Sequence, residues 1–376
     1  MNWIKKTVSI LVSWDSVFVL ISTFTLFLLV NFMVVFFSPF LVKNINPHFV
    51  KSISPCYRTL YHLPDSPNTG RNFGYEVIFG DSYSEGAGDE YILGDKEYGI
   101  FRKLHGYVDR TFLIFGRSGY GSHHTLLEEQ RCSSLLDGFT SFNFQRINVT
   151  HASFVFYEGN DLTDNLIQSQ LNFSEMTYKL RFFLPLFEFS YKTIRSLIYK
   201  VENWLVGFFE SSLAQDGVKQ GYPVSTSNIK LQVYPQSAPV ELTSNQMANS
   251  FKILEQSLVS IRENYPGRTL QFLYLPSVAS SYEFESGIAV SSYRSNPYFL
   301  STGEENSNTS GRIRSHIKKM ALKLGWEFCD VSEDVLNLTK GGVAAHGPID
   351  WQHFNKDGYT VVSNKYLSCF LQSEKM

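Results

Sequence analysis

The sequence predicts an α/β fold: a three-layer α/β/α sandwich around a parallel sheet, preceded by one N-terminal transmembrane helix. Three observations predict it. Short continuous apolar runs alternate with stretches of helical periodicity, which is the pattern of strands buried on both faces. Three of these runs end in polar, glycine-bearing loops, and ligands of open α/β sheets bind beyond the carboxyl ends of the strands. Between Ser16 and Val42 there is no charged residue.

The N-terminal segment comes first. Its core reads "VFVLISTFTLFLLVNFMVVFF", long enough for a helix to cross the hydrocarbon region. A cleaved signal peptide would have a shorter apolar region and a small-x-small cleavage site, and "FFSPFLVK" offers none. The expected organisation is a stub over 1–15, an uncleaved membrane anchor over 16–42, a juxtamembrane linker over 43–72 and a catalytic domain over 73–376. The catalytic domain is expected on the periplasmic or extracytoplasmic side. The lysines flanking the span give only a weak charge bias.

Five strands are expected in order: "YEVIFG" at 75–80, "RTFLIFG" at 110–116, "ASFVFYEG" at 152–159, "RTLQFLYLP" at 268–276 and "WEFCDVS" at 326–332. Helical patterns occupy 124–136, 245–264 and 311–325, and "DGYTVVSNKYLSCFLQ" closes the chain as a helix. An insertion at about 166–242 interrupts this alternation, aromatic and amphipathic in its first half and turn-rich in its second. It reads as helices packed on the domain, as a membrane-surface face, or as a wall of the substrate groove.

Composition narrows the classes of function. With 43% hydrophobic and 18% charged residues, the 376-residue chain is not disordered. A formal net charge of −2 and the lack of a basic stripe argue against a nucleic-acid partner. An aromatic content of 15% suits a domain lying near a bilayer. Cys56, Cys132, Cys329 and Cys369 form no CxxC pair, so no zinc site is expected. They allow three disulfide pairings among which the sequence does not choose.

The chemistry is sought just after each strand. "GDSYSEG" places Ser82 after the first, "GRSGYGSHH" places Gly119 after the second, and "YEGND" places Asn160 after the third. Acyl transfer needs a nucleophile, a base, an orienter for the base and donors for the oxyanion. Ser82 suits the nucleophile, and its own N–H at a helix start suits an oxyanion donor. Gly119 can present a second N–H without a side chain in the way, and the Asn160 amide can be a third donor. Of nine histidines, His353 in "DWQHFNKDG" has Asp350 three residues earlier. That spacing brings a carboxylate to one ring nitrogen and frees the other for Ser82. His123 and His124 read as loop residues lining the cleft. Asp81 reads as a residue that fixes the turn, and Asp161 as a supporting residue.

These blocks, in this order from Val77 to Tyr359, resemble the SGNH hydrolase superfamily, the GDSL-type lipases and esterases. The resemblance implies a parallel, flavodoxin-like sheet between helices. It implies Ser82, His353 and Asp350 as the triad, and Ser82, Gly119 and Asn160 as the oxyanion hole. It also implies that no cofactor is needed. The implied activity is hydrolysis of acyl esters, acetyl esters foremost, of a carbohydrate or lipid. Some membrane-associated relatives in polysaccharide pathways transfer the acyl group instead, so O-acyltransfer to an exported polysaccharide is the alternative, with partners from such a pathway. An inactive glycan-binding domain is the third reading. Two departures stand out. Ile114 occupies the position where the family often has an Asn, which leaves Gly116 and Gly121 as alternative donors. The insertion is foreign to compact members.

Overall fold

The computed structural model describes residues 14–36, 75–93, 99–104, 111–139, 149–170, 222–223, 229–231, 235–284, 289–291 and 300–373. The chain divides into two compact units. In the first, α1 (Trp14–Phe36) is a 23-residue helix, with its apolar side chains largely exposed. It coincides with the expected 16–42 anchor as far as Phe36. Among the described residues no helix is long and apolar enough to cross a membrane. The expected linker over 43–72 lies outside the described residues.

The second unit is built on a five-stranded sheet of β1 (Tyr75–Gly80), β2 (Thr111–Gly116), β3 (Val149–Tyr157), β6 (Thr269–Leu275) and β9 (Glu327–Asp330). The order is β2-β1-β3-β6-β9, and every pairing is parallel. All five are the expected strands, displaced by at most three residues at either end. Between β1 and β2 run three short helices, α2 (Ser82–Glu85), α3 (Asp89–Ile92) and α4 (Ile100–Leu104). Longer helices follow: α5 (Ser122–Phe139), α6 (Asp161–Gln170), α7 (Ser244–Asn264), α8 (Gly303–Lys323), α9 (Ser332–Lys340) and α10 (Lys356–Ser373). The chain steps from β1 outward to β2 and then back across β1 to β3. Because crossovers are right-handed, this reversal puts α4 on one face of the sheet and α5, α7 and α8 on the other. The packing agrees: α4 lies against α10, while α7 lies against α5, α6 and α8.

A row of phenylalanines crosses the sheet at one level. Phe115, Phe79, Phe154, Phe272 and Phe328 are successive register partners over all five strands. Ring centroids are 6.0 Å apart for Phe79–Phe115, 5.6 Å for Phe154–Phe272 and 5.8 Å for Phe272–Phe328. Part of the high aromatic content is therefore sheet core. The other face buries Ile78, Val155 and Leu273 with Tyr359, Val362 and Tyr366 of α10.

Of the expected insertion, 171–221 lies outside the described residues. Its first residues belong to α6, so the interruption begins later than 166. Near its end, β4 (Tyr222–Pro223) and β5 (Lys230–Leu231) pair as a short antiparallel ribbon. A second ribbon joins β7 (Ala289–Ser291) and β8 (Leu300–Thr302). Cys329 of β9 is disulfide-bonded to Cys369 of α10, and Cys132 is also disulfide-bonded.

Candidate active site

The reversal of strand order at β1 marks the crevice where open α/β sheets bind ligands, and Ser82 stands there. Asp81 begins the turn. Its Oδ1 accepts from Tyr83 N at 2.9 Å, while Ser84 Oγ donates to the Asp81 carbonyl at 2.7 Å. These bonds close α2 immediately and leave Ser82, 5% exposed, at its first position. Asp81 thus caps the start of α2. Its carboxylate also lies 3.2 Å from Ser82 Oγ.

His353 and Asp350 arrive from the loop before α10. His353 Nε2 is 2.8 Å from Ser82 Oγ, and His353 Nδ1 is 2.6 Å from Asp350 Oδ2. The serine has one hydroxyl proton, and the imidazole contact is the shorter of its two. Asp350 Oδ1 accepts from the backbone N–H groups of Gln352 at 2.9 Å and His353 at 3.3 Å. Burial alone would raise the Asp350 carboxyl, but the His353 bond and charge together with these N–H groups hold it below the usual carboxylate value. The Tyr83 ring lies 5.0 Å from the imidazole, and its hydroxyl donates to the Gln352 carbonyl.

Asn160 follows β3, beside β1, and is buried. Its Nδ2 donates to Asp164 Oδ2 at 2.9 Å, and its amide helps to lower the Asp81 pKa against the effect of burial. Asp161 Oδ2 accepts from Tyr157 N at 2.9 Å and ties the start of α6 to the end of β3. Burial, then the charge of Asp81, pushes the Asp161 carboxyl well above its usual range. Burial likewise raises Asp81. Both shifts have burial as their largest cause, which disfavours the charged form.

The second loop is held differently. Gly119 has φ 77°, a backbone geometry that favours glycine. Its neighbour Ser118 donates both N–H, at 3.1 Å, and Oγ–H, at 3.0 Å, to Glu85 Oε2. Gly116 is explained by packing, since a Cβ there would fall 2.0 Å from Ser84 Oγ and 2.5 Å from the Gly80 carbonyl. Ile114 is a buried core residue of β2. His124 is buried on α5 beside Tyr120, and among the described residues His353 is the histidine bonded to Ser82.

Sequence reasoning missed Glu85, Asp89 and His346. Asp89 accepts from the N–H groups of Ile349 and Asp350. His346 is fully buried, with Nδ1 3.2 Å from Tyr282 Oη. For Glu85 and Asp89 the visible signal was the acidic, glycine-spaced stretch "SEGAGDE" just after Ser82.

No family model and no curated protein matches this chain. Among solved structures it is similar to phospholipase A1 from Streptomyces albidoflavus NA297, with 16% identity, 80% of this chain and 99% of that chain covered, and a TM-score of 0.39. It is similar to an extracellular lipase from Streptomyces rimosus, with 15% identity, 80% and 99% coverage and a TM-score of 0.40. It is also similar to a mutant of Axe2, an acetyl-xylooligosaccharide esterase from Geobacillus, with 9% identity, 80% and 96% coverage and a TM-score of 0.35. Overlap this partial carries no functional weight, so the functional reading rests on the geometry around Ser82.

Proposed function

We propose that this chain is a serine esterase of the SGNH type, acting on acyl esters of a carbohydrate or lipid, with acetyl the foremost acyl group. One observation carries the reading: an unbroken relay from Asp350 through His353 to Ser82, at 2.6 and 2.8 Å. A binding domain has no need of a base held between a carboxylate and a buried hydroxyl.

Ser82 Oγ attacks the ester carbonyl while His353 Nε2 takes its proton. Asp350 keeps the other proton on Nδ1 and stabilises the imidazolium. The Ser82 N–H, Gly119 N–H and Asn160 amide receive the oxyanion. His353 then protonates the departing alcohol. Water, activated by His353, releases the acid and frees Ser82. A sugar hydroxyl in place of that water would give O-acyltransfer through the same acyl-enzyme. Supplying an acceptor glycan and following the acyl group separates the two outcomes.

The charge-free run over 16–42 and the Cys329–Cys369 disulfide support a membrane-anchored enzyme whose second unit faces an oxidising, extracytoplasmic compartment. The deciding experiment treats the full chain in detergent with a fluorophosphonate and maps the adduct by mass spectrometry. A label on Ser82 that disappears in His353→Ala is expected. Ser82→Ala should lower ester turnover by about 10³-fold or more with the fold retained. Undiminished turnover in Ser82→Ala would sink the reading.

A further inference from the structure

We infer that Asp89 is a positioning residue, which holds the acid–base arm of the site at its distance from Ser82. The inference rests on the proposed roles of Ser82, His353 and Asp350. Asp89 lies seven positions after Ser82 and is 4% exposed. Its carboxylate accepts from Ile349 N, at 3.1 Å to Oδ1 and 3.2 Å to Oδ2, and from Asp350 N. Asp350 is therefore gripped twice: its side chain by His353, and its own N–H by Asp89. A displaced Asp350 backbone would carry the His353 contact with it.

The neighbours of Asp89 press the same two segments together. A Cβ on Gly88 would fall 2.4 Å from the Phe354 carbonyl, so the backbones touch there. The Tyr359 hydroxyl donates to the Ala87 carbonyl. One turn earlier, Glu85 binds Ser118 beside Gly119. The stretch carrying the nucleophile thus holds one buried carboxylate toward the expected oxyanion loop and a second toward the acid–base loop.

The test is Asp89→Asn in the full chain in detergent. The substitution keeps the shape and one acceptor oxygen, but it removes the charge and sets a donor nitrogen against Ile349 N in place of Oδ2. Hydrolysis of p-nitrophenyl acetate is measured beside the His353 Nδ1–H proton resonance. The expected result is a fall in kcat of about 100-fold, the scale of an ångström-sized misplacement. KM should stay nearly unchanged, and the Nδ1–H resonance should move or broaden. In an Asp350→Asn background the same substitution should add little, because the two residues act through one contact. A tie that is only structural would lower the melting temperature without moving the resonance. Unchanged kcat and resonance, or losses that multiply with Asp350→Asn, overturn the inference. If Asp89→Asn does not fold, Asp89→Glu displaces the carboxylate by one methylene and is read in the same way. Ser82→Ala runs alongside. Turnover retained there defeats the esterase reading itself, whereas turnover lost there and kept in Asp89→Asn defeats only the positioning role.

Discussion

His346 is a histidine that the structure keeps neutral. The Tyr282 hydroxyl accepts from the N–H groups of Ala345 and His346, at 3.1 and 3.2 Å. Its own proton is then directed at His346 Nδ1, which leaves the ring proton on Nε2. Burial, with the nearby His353 charge adding to it, lowers the His346 pKa to about 3. The folded value lies below the unfolded value of about 6.5. The stabilisation is therefore complete above about pH 6.5 and is lost as pH falls toward the folded value. It amounts to at most about 5 kcal/mol. Urea unfolding at pH 7, 5.5 and 4 should show stability falling in the native chain and falling less steeply in His346→Phe. Equal slopes would contradict this account. Asp350 was legible in the sequence because its partner stands three residues away. Asp89 was not, because it binds backbone N–H groups about 260 positions distant, and no side-chain pattern marks a backbone donor.

Where β1, β2 and α2 meet, the spacing admits no side chain at position 116. Ser84 Oγ could move aside, but the Gly80 carbonyl, 2.5 Å from the Cβ that Gly116→Ala would add, belongs to the sheet. That substitution should cost about 1–3 kcal/mol and lower the rate of Ser82 labelling in the molecules that remain folded. Calorimetry and fluorophosphonate kinetics measure the two effects. Labelling at the native rate would show that α2 is not displaced. The strands were readable because each is a continuous apolar run. Helix α8 was expected from 311 and begins at Gly303, since its first turns are polar and carry no apolar period. The capping box between Thr302 and Glu305 was the available signal for that start. Helix α9 is a nine-residue amphipathic segment, and it was passed over. The Phe115-to-Phe328 row was visible only as composition, because register between strands is a tertiary property.

Over the whole molecule, the Cys329–Cys369 bond joins the edge of the sheet to the last helix across 40 residues. Chain-entropy bookkeeping gives a loop of that length about 4 kcal/mol. Replacing both cysteines by serine should lower the free energy of denaturant unfolding by up to that amount, and dithiothreitol, which also reduces the Cys132 disulfide, should lower the native chain at least as far. No change in either case would show that the packing of α10 holds the edge without the bond. Three pairings were open to sequence reasoning, and only the fold brings these two Cα atoms to 6.0 Å.

Ser82 and His353 are 271 positions apart, with four of the five sheet strands encoded between them. A ribosome delivers Ser82 early and His353 almost last. On the proposed triad, a chain still being made or threaded across a membrane carries a serine with no base beside it. It stays chemically silent until its C-terminal segment docks, so reactivity becomes a report that synthesis has finished.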